Sequence, residues 1–148
     1  MSIVPDKEHL AGALLKPINP AASVILGVYT VLWGLWVVNP LWSVFSRAPL
    51  YSVMASIAPE WAWGCFALFC GGLMIYGSTK RSYRALTNGA GIMNFHWTIV
   101  GFCYFLGDWQ STGGITALCI AFYAGFVYLN IRVNYKKTKK IPDRFYIE

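Results

Sequence analysis

Charge is what this 148-residue chain has least of. Only 12% of its residues are Asp, Glu, Lys or Arg, about half the share of an ordinary soluble domain. None of these four types stands at mid-depth in its long apolar stretches. That argues against a proton-coupled carrier, which needs ionisable relay groups inside the membrane. It argues equally against a hydrolase built on paired carboxylates. Histidine is nearly absent as well. His96 is the only one in an apolar stretch, since His9 lies near the N-terminus. One chain therefore cannot supply a bis-histidine haem site, although a symmetric dimer could. The four cysteines, Cys65, Cys70, Cys103 and Cys119, form no C-x-x-C pair, so metal binding is not indicated. They read as small buried hydrophobes. No internal repeat or low-complexity tract is present.

What the chain does have is apolar surface in blocks: 57% hydrophobic and 17% aromatic residues. The blocks cover residues 21–38, 60–77, 91–106 and 113–133. Spans of 18–21 residues reach roughly 27–32 Å as helix, enough for a hydrocarbon core. The third block is the shortest and is expected to extend back into residues 87–90. The fold expected is an all-α membrane bundle of four transmembrane helices, occupying residues 21–133 as one domain. The first block is too long for a signal-peptide core and lacks a small-residue cleavage site after it.

Basic residues alternate from loop to loop. The lead-in, residues 1–20, holds Lys7 and Lys16. The second loop holds Lys80, Arg81 and Arg84. The C-terminal end holds Arg132, Lys136, Lys137, Lys139, Lys140 and Arg144. The other two loops hold Arg47 alone. The positive-inside rule then places both termini in the cytoplasm.

The outer segment, residues 40–58, is not a polar loop. Leu50, Val53, Met54 and Ile57 follow Pro49 at i, i+3, i+4 and i+7. This pattern fits an amphipathic helix in the outer membrane interface. It fits equally a helix folded over the bundle's own mouth. Trp42, Trp61, Trp63 and Trp109, with Trp33 and Trp36 a little deeper, read as an aromatic belt on that side. Residues 134–148 form a basic cytoplasmic tail. Its Lys136, Lys137, Lys139 and Lys140 suit anionic lipid at the cytoplasmic face, at about 1 kcal/mol each. Phe145 and Tyr146 suit an anchor or a protein partner. No folded module for nucleic acid accompanies them.

The candidate site residues are few. Asn94, His96 and Thr98 put polar groups into the third span, as interhelical hydrogen bonds or as pore lining. Ala67 and Gly71 on the second span, and Ala117, Ala121 and Gly125 on the fourth, are small residues four apart. They allow close helix approach within the chain or between copies in a homo-oligomer. Arg47, Glu60 and Asp108 belong to the outer rim. Glu60 complements the N-terminal dipole of the second span. No catalytic, metal or cofactor-binding set emerges, and an enzyme is not expected.

The order of features runs through "APLYSVMASIAPEWAWG", a glycine-rich second span, "KRSYRAL", and "WQSTGGITALCIAFYAGFVYLN". In this, residues 48–130 resemble small four-span membrane proteins of tailed bacteriophages. The resemblance implies a multi-pass protein of the bacterial inner membrane. Some such proteins are holin-like and open the membrane as oligomers. Two functions are thus expected: a holin-like or channel-forming oligomer, or a membrane scaffold or accessory subunit. The second would dock a partner through its basic tail or outer helix.

Overall fold

Proline, glycine and short polar side chains set where each helix begins and how near it comes to its neighbour. The computed structural model describes residues 20–41, 43–46 and 49–139. Helix α1 runs Pro20–Val38. It opens on the proline, which suits a first helical turn, and stops before Asn39-Pro40. A 3-10 turn at Pro49–Tyr51 leads into the short α2, Ser52–Ile57. Helix α3, Glu60–Thr79, follows Pro59. A tight turn leads into α4, Tyr83–Gly107. In that turn Arg81 adopts φ 51°, the one left-handed non-glycine among the described residues. The Ser82 hydroxyl accepts from the Ala85 amide at 3.5 Å, an N-cap for α4. After Asp108 the chain turns into α5, Thr112–Lys139. Ser111 Oγ accepts there from the Gly113 amide at 3.1 Å.

All regular secondary structure among the described residues is helical, with no strand. Three helices are long and apolar enough to cross a membrane, over Ala21–Val38, Glu60–Thr79 and Thr112–Asn134. This is consistent with an integral membrane protein. At 25 residues α4 is longer than α1 or α3, yet it falls short of them in hydropathy. The reason is its position. It packs against α3, α5 and the α2 segment, so it carries the groups that bond inside the bundle.

The largest contact joins α1 to α3, and the next joins α4 to α5; α1 and α5 barely meet. Glycines make the first contact possible. A Cβ on Gly71 would lie 2.8 Å from the Gly27 carbonyl oxygen, and one on Gly34 would lie 2.8 Å from that of Gly64. The pairs are one heptad apart on each antiparallel helix, so two points of backbone contact fix the crossing. The α4–α5 seam alternates small and large residues. A Cβ on Gly101 would meet Leu118, one on Gly114 would meet Phe105, and one on Gly91 would meet Tyr128.

The segment before α3 corrects one expectation. It is no long interfacial helix. Among its described residues only six are α-helical, and Met54 is fully buried. Backbone oxygens of Pro49 and Leu50 come close to Gly107, and Tyr51 stacks on Phe45 and meets Tyr104 edge-on. The segment therefore closes over the bundle end where α3 and α5 begin and α4 stops. Pro49 and the short run to Pro59 leave no room for more turns. We call this the capped end. The opposite end, with Lys80, Arg81 and Arg84, is the basic end.

Polarity is inverted relative to a soluble bundle. Ser23, Thr30, Thr87, His96 and Asn130 are buried, while Ile25, Leu32, Phe69, Phe95, Phe102, Phe122 and Leu129 are exposed. In a bilayer the apolar surface is solvated by lipid, and polar groups must find partners inside.

Candidate functional site: a histidine enclosed by aromatic rings

The third apolar block places His96 on the side of α4 that faces α1 and α3. It is 1% exposed. Four aromatic side chains surround it. Trp33 of α1 stands edge-on at 5.5 Å between ring centroids. Phe66 and Trp63 of α3 lie at 5.4 and 6.2 Å. Trp97, its own neighbour, lies at 5.6 Å. Neither imidazole nitrogen has a hydrogen-bond partner among the described residues. The ring thus has no carboxylate or hydroxyl to orient it, and the usual geometry of a general base is not assembled.

The rings around it are themselves held in place. Trp97 Nε1 donates to Thr30 Oγ1 at 3.0 Å. Thr30 in turn donates to the Leu26 carbonyl at 3.0 Å, with Met93 sulfur 3.6 Å away. Trp63 Nε1 donates to the Met54 carbonyl at 3.2 Å, fastening α3 to the last turn of α2. Trp63 and Trp33 therefore serve the interior rather than the expected aromatic belt. Trp36, Trp61 and Trp109 are exposed.

Asn94 and Thr98 lie on the other side of the helix. Two residues on a helix are about 200° apart, so His96 cannot share their face. Asn94 Nδ2 donates to the Ala121 carbonyl at 2.7 Å, and Thr98 Oγ1 donates back to the Asn94 carbonyl at 2.7 Å. Gly125 makes room for the amide, because a Cβ there would come within 2.8 Å of Asn94 Nδ2. Ala117 and Ala121 are buried. Replacing Asn94 by leucine should cost about 1–2 kcal/mol, as expected for interhelical hydrogen bonds in membranes. Gly125→Leu should cost at least as much by displacing the same amide. The double variant should lose less than the sum, which thermal unfolding in detergent would read.

Ala67 is fully buried and Gly71 touches the Gly27 carbonyl, so both sit in the α1–α3 contact of a single chain. Gly27, which faces Gly71, and the second pair, Gly34 with Gly64, do not follow from four-residue spacing. The signal that finds them is the seven-residue interval, present on both helices. All four cysteines are free thiols; Cys70 and Cys103 are buried, Cys65 and Cys119 exposed.

Glu60 does more than complement a helix dipole. Its Oε1 accepts from the Val44 amide at 2.6 Å, and its Oε2 accepts from Ser43 Oγ at 2.8 Å. It ties the connection after α1 to the start of α3. A shallow open cleft of about 270 Å³ lies beside it, lined by Val37, Val38, Asn39, Pro40, Ser43 and Trp61. Asp108 accepts from the Gln110 amide through Oδ1 at 3.2 Å and so shapes the α4–α5 turn. Arg47, Lys140, the lead-in and the rest of the tail lie outside the described residues. Lys136, Lys137 and Lys139 fall in the last turns of α5. Among the described residues no three His, Cys, Asp or Glu side chains come together to hold a metal ion. Compared with protein-family models, curated proteins and solved structures, the chain matches none.

Proposed function

We propose that the chain is a non-enzymatic, four-span protein of the bacterial inner membrane that works as a scaffold or accessory subunit. Two geometric facts support the fourth span. Both α3 and α5 start at the capped end, where Gly107 and Gly113 approach Leu50. If both cross the bilayer, α4 must return across it between them. The described basic side chains Lys80, Arg81, Arg84 and Arg132 belong to one end, and Glu60 and Asp108 to the other, which fits termini in the cytoplasm.

The observation that carries the scaffold reading is where the mid-depth polar groups point. Thr30, Asn94, Thr98 and Trp97 all bond within the chain, and Trp97, Met74, Met93 and Val100 fill the interior. The surfaces left for other molecules are large apolar side chains and a basic cytoplasmic end. Such surfaces suit lipid, another membrane helix or a further copy, and the tail lysines suit anionic lipid. A holin-like pore is the second reading, favoured by the resemblance to phage membrane proteins. It requires copies to turn polar faces toward a shared lumen; Asn94 and Thr98 share one face of α4, whereas His96 would first have to leave its aromatic enclosure.

Expression in bacteria with a membrane-potential dye separates the two. A scaffold leaves potential and viability intact on induction while the chain stays in alkali-washed membranes. Collapse of the potential overturns the scaffold reading in favour of the pore.

A further inference from the structure

Positive charge at the basic end is arranged in two tiers. Lys80, Arg81 and Arg84 stand exposed in and just after the α3–α4 turn. Arg132 lies deeper, with its guanidinium 5.3 Å from the centre of the Tyr128 ring. That ring is what a Cβ on Gly91 would meet, at 3.4 Å. Gly91 is two turns along α4 from Arg84, roughly 10 Å, and on the same face. Because α5 runs antiparallel to α4, Arg132, one turn beyond Tyr128, comes level with Thr87. Arg84, Thr87 and Arg132 therefore border one stretch of the α4–α5 seam. Thr87 is 8% exposed, and its hydroxyl has no hydrogen-bond partner among the described residues. The described acidic residues, Glu60 and Asp108, both lie at the capped end. This stretch of the seam thus combines positive charge that no described acidic residue compensates with a hydroxyl that has no partner among the described residues.

We propose that this seam binds the phosphate of one anionic phospholipid, with Arg84 and Arg132 as the cations on its two sides. The inference deepens the membrane reading and rests on it. The seam lies where the candidate span of α5 ends, at Asn134, which is headgroup depth for a spanning helix. Exposed Leu129 lies one turn before Arg132 on α5, and such apolar surface beside the arginines favours a lipid over a free anion. Arginine suits the role because its planar fork can bind two phosphate oxygens at once. The site differs from the diffuse attraction of the tail lysines in being stoichiometric.

The test uses the full chain, purified in detergent and exchanged into mixed phosphatidylcholine and phosphatidylglycerol, with bound lipid counted by native mass spectrometry. One phosphatidylglycerol should be retained in preference to phosphatidylcholine. Arg84→Gln and Arg132→Gln should each weaken its retention about fivefold, while Lys137→Gln with Lys140→Gln leaves it unchanged, Lys137 being off the Arg132 face by the helix repeat. Arg84 is exposed, so its variant keeps the fold and the test does not depend on Arg132 alone. Equal retention of the two lipids overturns the proposal. So does loss in the tail variant but not in the arginine variants, or equal protection against thermal unfolding by inorganic phosphate. A chain that washes off membranes at alkaline pH overturns the membrane reading itself; one that stays but shows no preference removes only this site.

Discussion

Gly77→Ala is expected to be the most damaging single-methyl substitution in the chain, with a net loss of about 3 kcal/mol or more. Gly77 is buried in the last turns of α3, where the chain is about to reverse. A Cβ at this position would collide with the Leu86 amide nitrogen and lie 2.6 Å from its Cα. These are backbone atoms of α4, so no side-chain rotation relieves the clash. The backbone itself is committed there too, because the Gly77 carbonyl accepts from the Ser82 amide at 2.9 Å. The only relief is to move α3 and α4 apart at the turn, which pulls on every contact between them. Alanine would return about 1 kcal/mol of helix propensity, so a net loss measures a collision that outweighs that gain. Gly72→Ala supplies the control. It lies on the same helix with nothing within 4 Å of the added methyl, and it should be neutral or stabilising by up to about 1 kcal/mol. Thermal unfolding of both variants in the same detergent decides the matter. Equal melting temperatures for Gly77→Ala and the parent chain would remove the close-contact account of the hairpin.

The same glycines show how far composition alone carries. The apolar blocks were legible because a membrane helix needs length and hydropathy, and both are local properties. The blocks at 21–38, 60–77 and 113–133 correspond to α1, α3 and α5 nearly end to end. The third block, expected to reach back over residues 87–90, extends one turn further, since α4 begins at Tyr83. Its first turns hold Arg84, Thr87 and Asn88, which keep local hydropathy low, while Gly89 packs against Leu73 and Met74 of α3. The segment at 40–58 was ambiguous for a different reason. Its apolar spacing fits an interface or a cap, and only the neighbours of Met54 and Tyr51 tell the two apart. Gly71 was legible as a small residue, yet its partner Gly27 was not, because pairing across helices is not written in either helix by itself. Pro59 and the apolar run after it put Glu60 at the start of α3, but its bonds to Ser43 and Val44 depend on an irregular connection with no period to read. Nearness in sequence groups His96, Asn94 and Thr98. Helical geometry separates them, and the residues that enclose His96 come from three different helices.

Phenylalanine at His96 should leave the fold intact and raise its stability, by about 1–3 kcal/mol, the cost of a buried polar group without a partner. The argument rests on what surrounds the ring. Trp33, Trp63, Phe66 and Trp97 offer faces and edges but no acceptor or donor for the two imidazole nitrogens. A phenyl ring keeps the edge contacts and removes both unsatisfied atoms. Its slightly larger size presses mainly on Phe66, which is 39% exposed and can yield outward. His96→Ala should act in the opposite direction. It leaves a void among four rings and should cost about 2 kcal/mol or more. The pair of variants therefore separates volume from polarity at one site. If phenylalanine costs as much as alanine, the nitrogens are bonded in the membrane-embedded protein, and the enclosed site has a polar partner of its own. If phenylalanine stabilises, the chain carries a residue that weakens its fold, and packing alone does not account for the histidine. A membrane assay in which His96→Phe folds better but works worse would then locate function inside the aromatic enclosure. A variant that folds better and works as well would return the question to the basic end and the apolar surface.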